Sequence, residues 1–218
     1  MKCIRQQTII LALSLILFSC REEEKKPVAG NTTAIKDSII NLGPQQNPVN
    51  PYADIDKSPM DMSYYPVDYP KLKMGNNSIP PPVARVVYSR PHLTGRHLFT
   101  QVLKYGETWR LGANESTEIQ LYRDVMIQEK KIKAGRYILY CIPEPDNWTI
   151  VFNSNIDSWG LKQDSTKDIQ RFVIPATHDH GGPILEYFTI VFEKTTTGAD
   201  MIMAWGDILA KLPFHFGN

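Results

Sequence analysis

The stretch that decides the fold is residues 185–193, which read LEYFTIVFE. Successive side chains of an extended strand point to opposite faces, so Phe188, Ile190 and Phe192 fall on one side. The aromatic and β-branched residues that dominate this stretch favour strands over helices. The pattern therefore predicts a strand in the buried core of a β-rich domain.

Six further segments have the same composition, and turn-forming glycines and prolines separate them. They are residues 83–88, 117–122, 136–142, 148–152, 170–174 and 201–205. Long helical periodicity is absent; one helical turn is expected at Leu98–Leu103 and another after Asn155. The chain is thus predicted to be all-β, with a single antiparallel β-sandwich or barrel-like domain over residues 83–218.

The first residues predict where the protein resides. Lys2 and Arg5 precede an apolar run over 9–18, and ten helical residues rise only about 15 Å, too short for a bilayer core. The run ends in LFSC at residues 17–20 and resembles the lipobox of bacterial lipoproteins. Residues 1–19 are therefore predicted to be a signal peptide and Cys20 to carry lipid; the alternative is a plain secretory signal.

A long polar segment follows the predicted anchor. Ten of the sixteen prolines lie between Pro27 and Pro82, and none of the four tryptophans does. Residues 20–58 are predicted to be a flexible, Pro-rich, disordered tether, and 59–82 an extended arm packed on the domain. The acidic run at 22–24 resembles a surface-export signal, so we expect an outer-membrane lipoprotein that faces the periplasm or the cell surface; a solvated tether explains the run equally well.

Composition excludes several classes of protein. With 24 basic and 23 acidic residues the net charge is +1, whereas nucleic-acid binders need a strong basic excess. Three cysteines are too few for a disulfide scaffold or a four-thiolate zinc site. The sequence contains no P-loop, dinucleotide-binding fingerprint, nucleophile elbow or HExxH motif, so no cofactor and no catalytic residue is assigned.

Polar residues are densest between Tyr88 and Thr117. Guanidinium groups bind carboxylates, phosphates and sugar hydroxyls, and aromatic rings stack on sugars. The same groups also brace many β domains, with Glu115 pairing Arg90 or Arg110. The candidate ligand-binding residues are Arg90, Arg96, Trp109, Arg110, Asn114 and Glu115.

This part of the chain resembles the Domain of Unknown Function 2911 family of exported bacterial proteins. The resemblance rests on YSRP at 88–91, GR at 95–96, the string YGxxWRxGANE at 105–115, AGxY at 134–137 and WTxxFN at 148–153. Trp159-Gly160 and the FTI at 188–190 continue it. The resemblance implies a β-rich exported domain and carries no activity or catalytic residue with it.

Other candidates have weaker support. His178 and His180 could lie on one side of a strand, but no third ligand follows, so no metal site is assigned. Cys141 lies in a strand pattern that suits a buried, inert thiol. Glu107 and Glu115 could form a glycosidase-type carboxylate pair only if the fold brings them to one cleft.

Three functions remain open at this point. The first is a module that binds a glycan or a small anionic molecule, with the lipid bilayer as a partner through Cys20. The second is a structural or protein-interaction module, with unknown protein partners, whose polar cluster only braces the fold. The third is a hydrolase that uses Glu115 as acid or base.

The anchor is directly testable. Replacing Cys20 by Ser removes the thiol that would be acylated, so we expect Cys20→Ser to abolish incorporation of labelled fatty acid and to move the protein out of the membrane fraction. Cys3→Ser is the matched control, because Cys3 lies before the cleavage point. Unchanged labelling of Cys20→Ser would contradict the anchor.

Overall fold

The computed structural model describes residues 58–216. The predicted signal peptide and all but the last residue of the predicted tether lie outside the described residues. Eleven strands follow one another along the described part of the chain. They are β1 (Met60–Tyr65), β2 (Ala84–Ser89), β3 (Thr117–Leu121), β4 (Val125–Ile127), β5 (Lys130–Ile132), β6 (Gly135–Pro143), β7 (Asn147–Asn153), β8 (Asp168–His178), β9 (Leu185–Lys194), β10 (Gly198–Gly206) and β11 (Ile208–His215).

Helical structure is confined to short connections. Helix α1 (Tyr69–Gly75) joins β1 to β2, and Pro70 in its first turn pre-sets the backbone angle that a helix needs. A π-helical turn (Leu98–Val102) lies where the sequence predicts a helical turn. In the stretch after Asn155, where the sequence predicts a second helical turn, residues 156–157 form a non-helical turn and the first helical residues are the 3₁₀ turn Ser165–Lys167.

The strands form one antiparallel sheet in the order β1-β2-β3-β6-β7-β8-β11-β10-β9, and the β4–β5 hairpin joins it beside β11. The sheet curls until its last strand meets its first two. The Ile190 amide donates to the Tyr88 hydroxyl at 2.9 Å, and the Phe188 amide donates to the Pro91 carbonyl at 2.9 Å. The Ser63 hydroxyl also donates to the Ile190 carbonyl. The result is a nearly closed barrel.

The core of this barrel is built from the alternation seen in the sequence. Phe188, Ile190 and Phe192 are buried, whereas Tyr187 before them and Val191 between the last two are exposed. Leu139 and Cys141 of β6 and Ile150 and Phe152 of β7 are buried as well, but there Tyr140 and Val151 between them are also buried. Burial of this apolar surface is the dominant contribution that stabilises the fold.

The predicted fold class, all-β with an antiparallel barrel-like domain, is confirmed. Each of the seven predicted segments overlaps a strand. The short strands β4 and β5 are not among the predicted segments, and neither is β11, which contains Pro213, a residue that normally marks an edge or a break. Strand β11 pairs with β8 only over 208–210 and with β4 only at His215, so no strand is paired with Pro213 on that side.

The space for an added methyl group differs sharply between two glycines, Gly198 and Gly75. A Cβ on Gly198 would overlap the carbonyl oxygen of Phe214 in β11, whereas a Cβ on Gly75 would meet no atom within 4 Å. We expect Gly198→Ala to lower the free energy of unfolding by about 1–3 kcal/mol because the two strands must move apart. Gly75→Ala is the control and is expected to be neutral or slightly stabilising. Equal urea midpoints for the two variants would contradict the packing described here.

Candidate functional site

The segment 109–117 forms the corner that connects the end of the π-helical region to β3. Trp109 begins it with a two-way backbone bridge to Cys141 of β6, with both N–H···O distances at 2.7 Å. The indole turns inward, and its Nε1 donates to the Gly112 carbonyl at 3.0 Å. Trp109 is therefore part of the core, which differs from a stacking platform open to solvent.

The rest of this corner is shaped by backbone requirements. Leu111 and Asn114 adopt left-handed φ angles of 55° and 59°. A Cβ on Gly112 would lie 3.1 Å from the Ser89 carbonyl oxygen, so a larger residue would push the corner away from β2. The Thr117 hydroxyl closes the turn by donating to the Leu111 carbonyl. These contacts give most of the WRLGANE string a structural role in the corner.

Arg110 points outward between two buried neighbours, Trp109 and Leu111. It lines a cleft of about 400 Å³ that we call the arginine cleft. Its polar lining comes from Ser58, His92, Arg96, Lys104, Glu107, Thr108 and Arg110, and its apolar lining includes Val102, Leu103, Trp109, Leu161 and Trp205. Four sequence regions and the end of β10 thus meet at one opening.

The charge in the arginine cleft is mainly positive. Arg96, Arg110 and Lys104 line it with His92, and Glu107 is the one carboxylate among its lining residues. Glu107 lies 3.3 Å from Lys104 Nζ, so these two charges compensate each other. Arg96 has no carboxylate within 4 Å among residues 58–216. The cleft thus places basic hydrogen-bond donors next to a wall that includes Trp109 and Trp205.

Arg96 is held in place by its own loop. Its Nε donates to the Leu93 carbonyl and its Nη2 to the His92 carbonyl, both at 2.8 Å. Two of its five N–H groups are used in this way, and the residue is exposed. The remaining donors are pre-oriented at the cleft without a large entropic cost on binding.

Arg90 lies apart from the arginine cleft and joins three strands. Its Nε donates to the Phe188 carbonyl at 3.2 Å and its Nη2 to the Thr189 hydroxyl at 3.0 Å. Nη1 lies 3.4 Å from Asp61 of β1. Arg90 therefore braces the seam where the barrel nearly closes, and its partner is Asp61, whereas the sequence suggested Glu115.

Glu115 and Asn114 also lie outside the arginine cleft. Asn114 is half-buried in the left-handed turn, and Glu115 is exposed and lines a second, smaller groove of about 280 Å³. That groove is lined by Met60, Val87, Glu115, Ser116, Glu118, Ile138, Asp157, Ser158 and Trp159. Because Glu107 and Glu115 line different cavities, they do not face each other across one cleft as a glycosidase pair must.

Two histidines meet beside the end of β8. The rings of His178 and His180 stack with centroids 5.5 Å apart, and His178 Nδ1 lies 2.9 Å from Asp207 Oδ2. This hydrogen bond holds the pKa of Asp207 below its usual value. Within residues 58–216 no group of three or more His, Cys, Asp or Glu is arranged to hold a metal ion.

Two buried groups, the Cys141 thiol and the Tyr88 hydroxyl, are unreactive near neutral pH. Burial raises the pKa of the Cys141 thiol, which keeps the thiol protonated and unreactive. Burial also raises the pKa of Tyr88 to about 12, so its hydroxyl remains protonated where it bridges to β9. Neither group can serve as a nucleophile or a base near neutral pH.

The structure therefore brings together Arg96, Trp109 and Arg110 from the predicted set. Sequence reasoning missed Lys104 and Leu161 as lining residues. Lys104 carries no local signal beyond its charge, and Leu161 comes from a loop some fifty positions further along the chain than Arg110. Only the folded corner shows that these residues share one opening.

The fold and the arginine cleft define a class of protein: a nearly closed antiparallel β-barrel domain with a basic cleft over a tryptophan corner. A family model described as "Protein of unknown function (DUF2911)" matches residues 74–214, and the chain belongs to that family. No curated protein and no solved structure matches the chain. Among residues 58–216, no helix has the length and apolar character to cross a bilayer.

Arg96 and Arg110 offer a comparison within one cleft. Arg110 is half-buried and packs on Gly160, where an added Cβ would lie 3.0 Å from its own Cβ. We expect Arg110→Ala to lower the free energy of unfolding by about 1–3 kcal/mol, and therefore to lower the urea midpoint clearly. Arg96→Ala is expected to cost under about 1 kcal/mol because water replaces its exposed contacts.

Urea denaturation of the two variants separates these roles. If both variants lower the urea midpoint equally and only slightly, Arg110 does not stabilise the fold as expected. If both lower it equally and strongly, Arg96 is not the accessible side chain expected here.

Proposed function

We propose that this domain binds a small anionic molecule in the arginine cleft. The observation that carries the proposal is the convergence of Arg96, Arg110, Lys104 and His92 on one cleft whose single lining carboxylate is paired. A carboxylate or phosphate monoester is the class of ligand that such donors recognise.

The dimensions of the cleft support a ligand of metabolite size. Small-molecule sites are usually about 300–1,000 Å³, and the arginine cleft is about 400 Å³. Its inner wall is apolar, with Trp109, Trp205 and Leu103. A ligand with an acidic group and an apolar body would satisfy both parts, the acid at Arg96 and the body against the more accessible Leu103 and Leu161.

Glycan binding is the second candidate, and it concerns the smaller groove. Trp159 there is 53% exposed, and the Ser116 and Ser158 hydroxyls and the Glu115 carboxylate lie beside it. An aromatic face with nearby hydroxyl and carboxylate groups suits a sugar ring. The arginine cleft is the preferred site for two reasons. It is larger than the groove, and its positive charge is less fully compensated, since in the groove Arg136 pairs with Glu118 and Asp157.

The proposal includes the location that the sequence predicts. In this proposal, lipid at Cys20 anchors the chain in a bacterial membrane, and the outer membrane is the preferred one. Residues 20–58 then let the domain reach ligands in the envelope or at the cell surface. The role is that of a binding module, and no catalytic step is assigned to it.

Thermal-shift and calorimetric titrations with the full chain test the ligand class. The probes are alkyl and aryl carboxylates and phosphate monoesters, each matched with its uncharged amide or alcohol. We expect the acids to raise the melting temperature and the neutral analogues to leave it unchanged. Arg96→Gln should weaken binding by about 10–100-fold because it removes one charge-assisted contact.

Lys167→Gln is the matched control, since Lys167 is exposed and lies outside both cavities. Equal loss in the two variants would show that general charge, and not the cleft, is responsible. Binding of neutral sugars alone, lost in Trp159→Ala, would favour the glycan candidate. Failure of every probe would favour a structural or protein-interaction module.

A further inference from the structure

The β1–β2 connection, residues 66–83, carries apolar side chains with nothing packed over them. No residue of α1 within this connection is buried. Val67, Leu72 and Met74 are 59%, 46% and 88% exposed. An amphipathic surface helix normally turns its apolar side chains to the core, so this exposure calls for an external partner.

The same surface is basic. Lys71 and Met74, three residues apart, lie on the same side of α1, and Lys194 lies at the end of β9. A depression of about 590 Å³ joins these elements, lined by Tyr65, Pro66, Val67, Asp68, Pro70, Lys71 and Lys194. We call Val67, Lys71, Met74 and Lys194 the basic apolar face.

The lysines of this face carry charge that no nearby acid neutralises. Lys104, Lys131, Lys133 and Lys211 each lie within 4 Å of a carboxylate. Within the described part of the chain, Lys71 and Lys194 have no such partner, a property they share with Lys130, Lys162 and Lys167. Lys73 is not part of the face, because it donates to the carbonyls of residues 77 and 79. Asp68 is the one acid lining the depression.

We propose that the basic apolar face docks on a bilayer surface that carries anionic headgroups. Lysines attract such headgroups, and apolar side chains enter the boundary between headgroups and acyl chains. A stable protein interface buries about 800 Å² and about 20–30 residues on each partner, far more than the few residues of the basic apolar face. A lipid surface needs only shallow insertion of the same side chains.

Docking in this way sets the orientation of the arginine cleft. The connection leaves the sheet at the Tyr65–Ala84 pair, whereas Ser58 and Pro91, which line the cleft, flank the Met60–Ser89 pair at the other end of the same two strands. Six residues of strand span about 20 Å. The cleft then opens away from the lipid, where ligands arrive.

A fluorescent label that senses polarity tests the docking locally. The full chain carries Cys3→Ser and Cys20→Ser, which leaves the buried Cys141 and one added thiol, at Met74→Cys. With vesicles of phosphatidylethanolamine and phosphatidylglycerol we expect a blue shift of the label's emission. With phosphatidylcholine vesicles we expect little shift. The control label, Ile184→Cys, is 63% exposed at the far end of the barrel and should not respond.

A charge reversal completes the experiment. Lys71→Glu with Lys194→Glu should raise the lipid concentration for half-maximal shift by about tenfold or more. Lys162→Glu with Lys167→Glu makes the same charge change elsewhere and should leave it within about twofold.

Three outcomes would overturn the docking: no shift at position 74, an equal shift at position 184, or an equal effect of both charge reversals. A shift that grows with protein concentration without vesicles would assign the face to a second copy of the chain instead. None of these outcomes depends on whether the arginine cleft binds anions, so the two proposals fail separately.

Discussion

The packing of the Trp109 indole is the contact on which the rest of the structure depends. Its ring centroid lies 4.8 Å from that of Phe188 in β9, 5.6 Å from that of Trp205 in β10 and 5.8 Å from that of Trp148 in β7. One side chain from a connecting corner thus joins strands from the middle and the end of the sheet. Truncating a buried tryptophan costs about 3–5 kcal/mol, a large part of the stability of a domain of this size.

The same packing creates the candidate site. Since Trp109 is directed inward and bridges Cys141, its neighbour Arg110 must point to the outside of the barrel. The left-handed turn at Asn114 then directs Glu115 to the other groove. One structural corner therefore separates a basic cleft from an acidic groove, and the loop that contains Trp159 and Gly160 contributes to both.

The sequence predicts the fold better than it predicts the site, and the reason is physical. Alternation along a strand is local, so the buried face of 185–193 can be read directly from its residues. A cleft depends on which loops meet, and Arg96, Lys104 and Leu161 meet only because the corner at Trp109 is folded. Arg90 shows the same limit, since Asp61 reaches it through the pairing of β1 with β2.

The corner also explains why a family signature can be specific without identifying a ligand. In WRLGANE, Trp109, Leu111, Gly112 and Asn114 meet requirements of packing or backbone conformation. Those requirements belong to the barrel, whatever the cleft binds. Arg96 and Lys104, the side chains that would select a ligand, lie on connections outside this string, although Arg96 belongs to the GR pair at 95–96 that also carries the resemblance. The WRLGANE string therefore identifies the scaffold, and function has to be argued from the side chains of the cleft beside it.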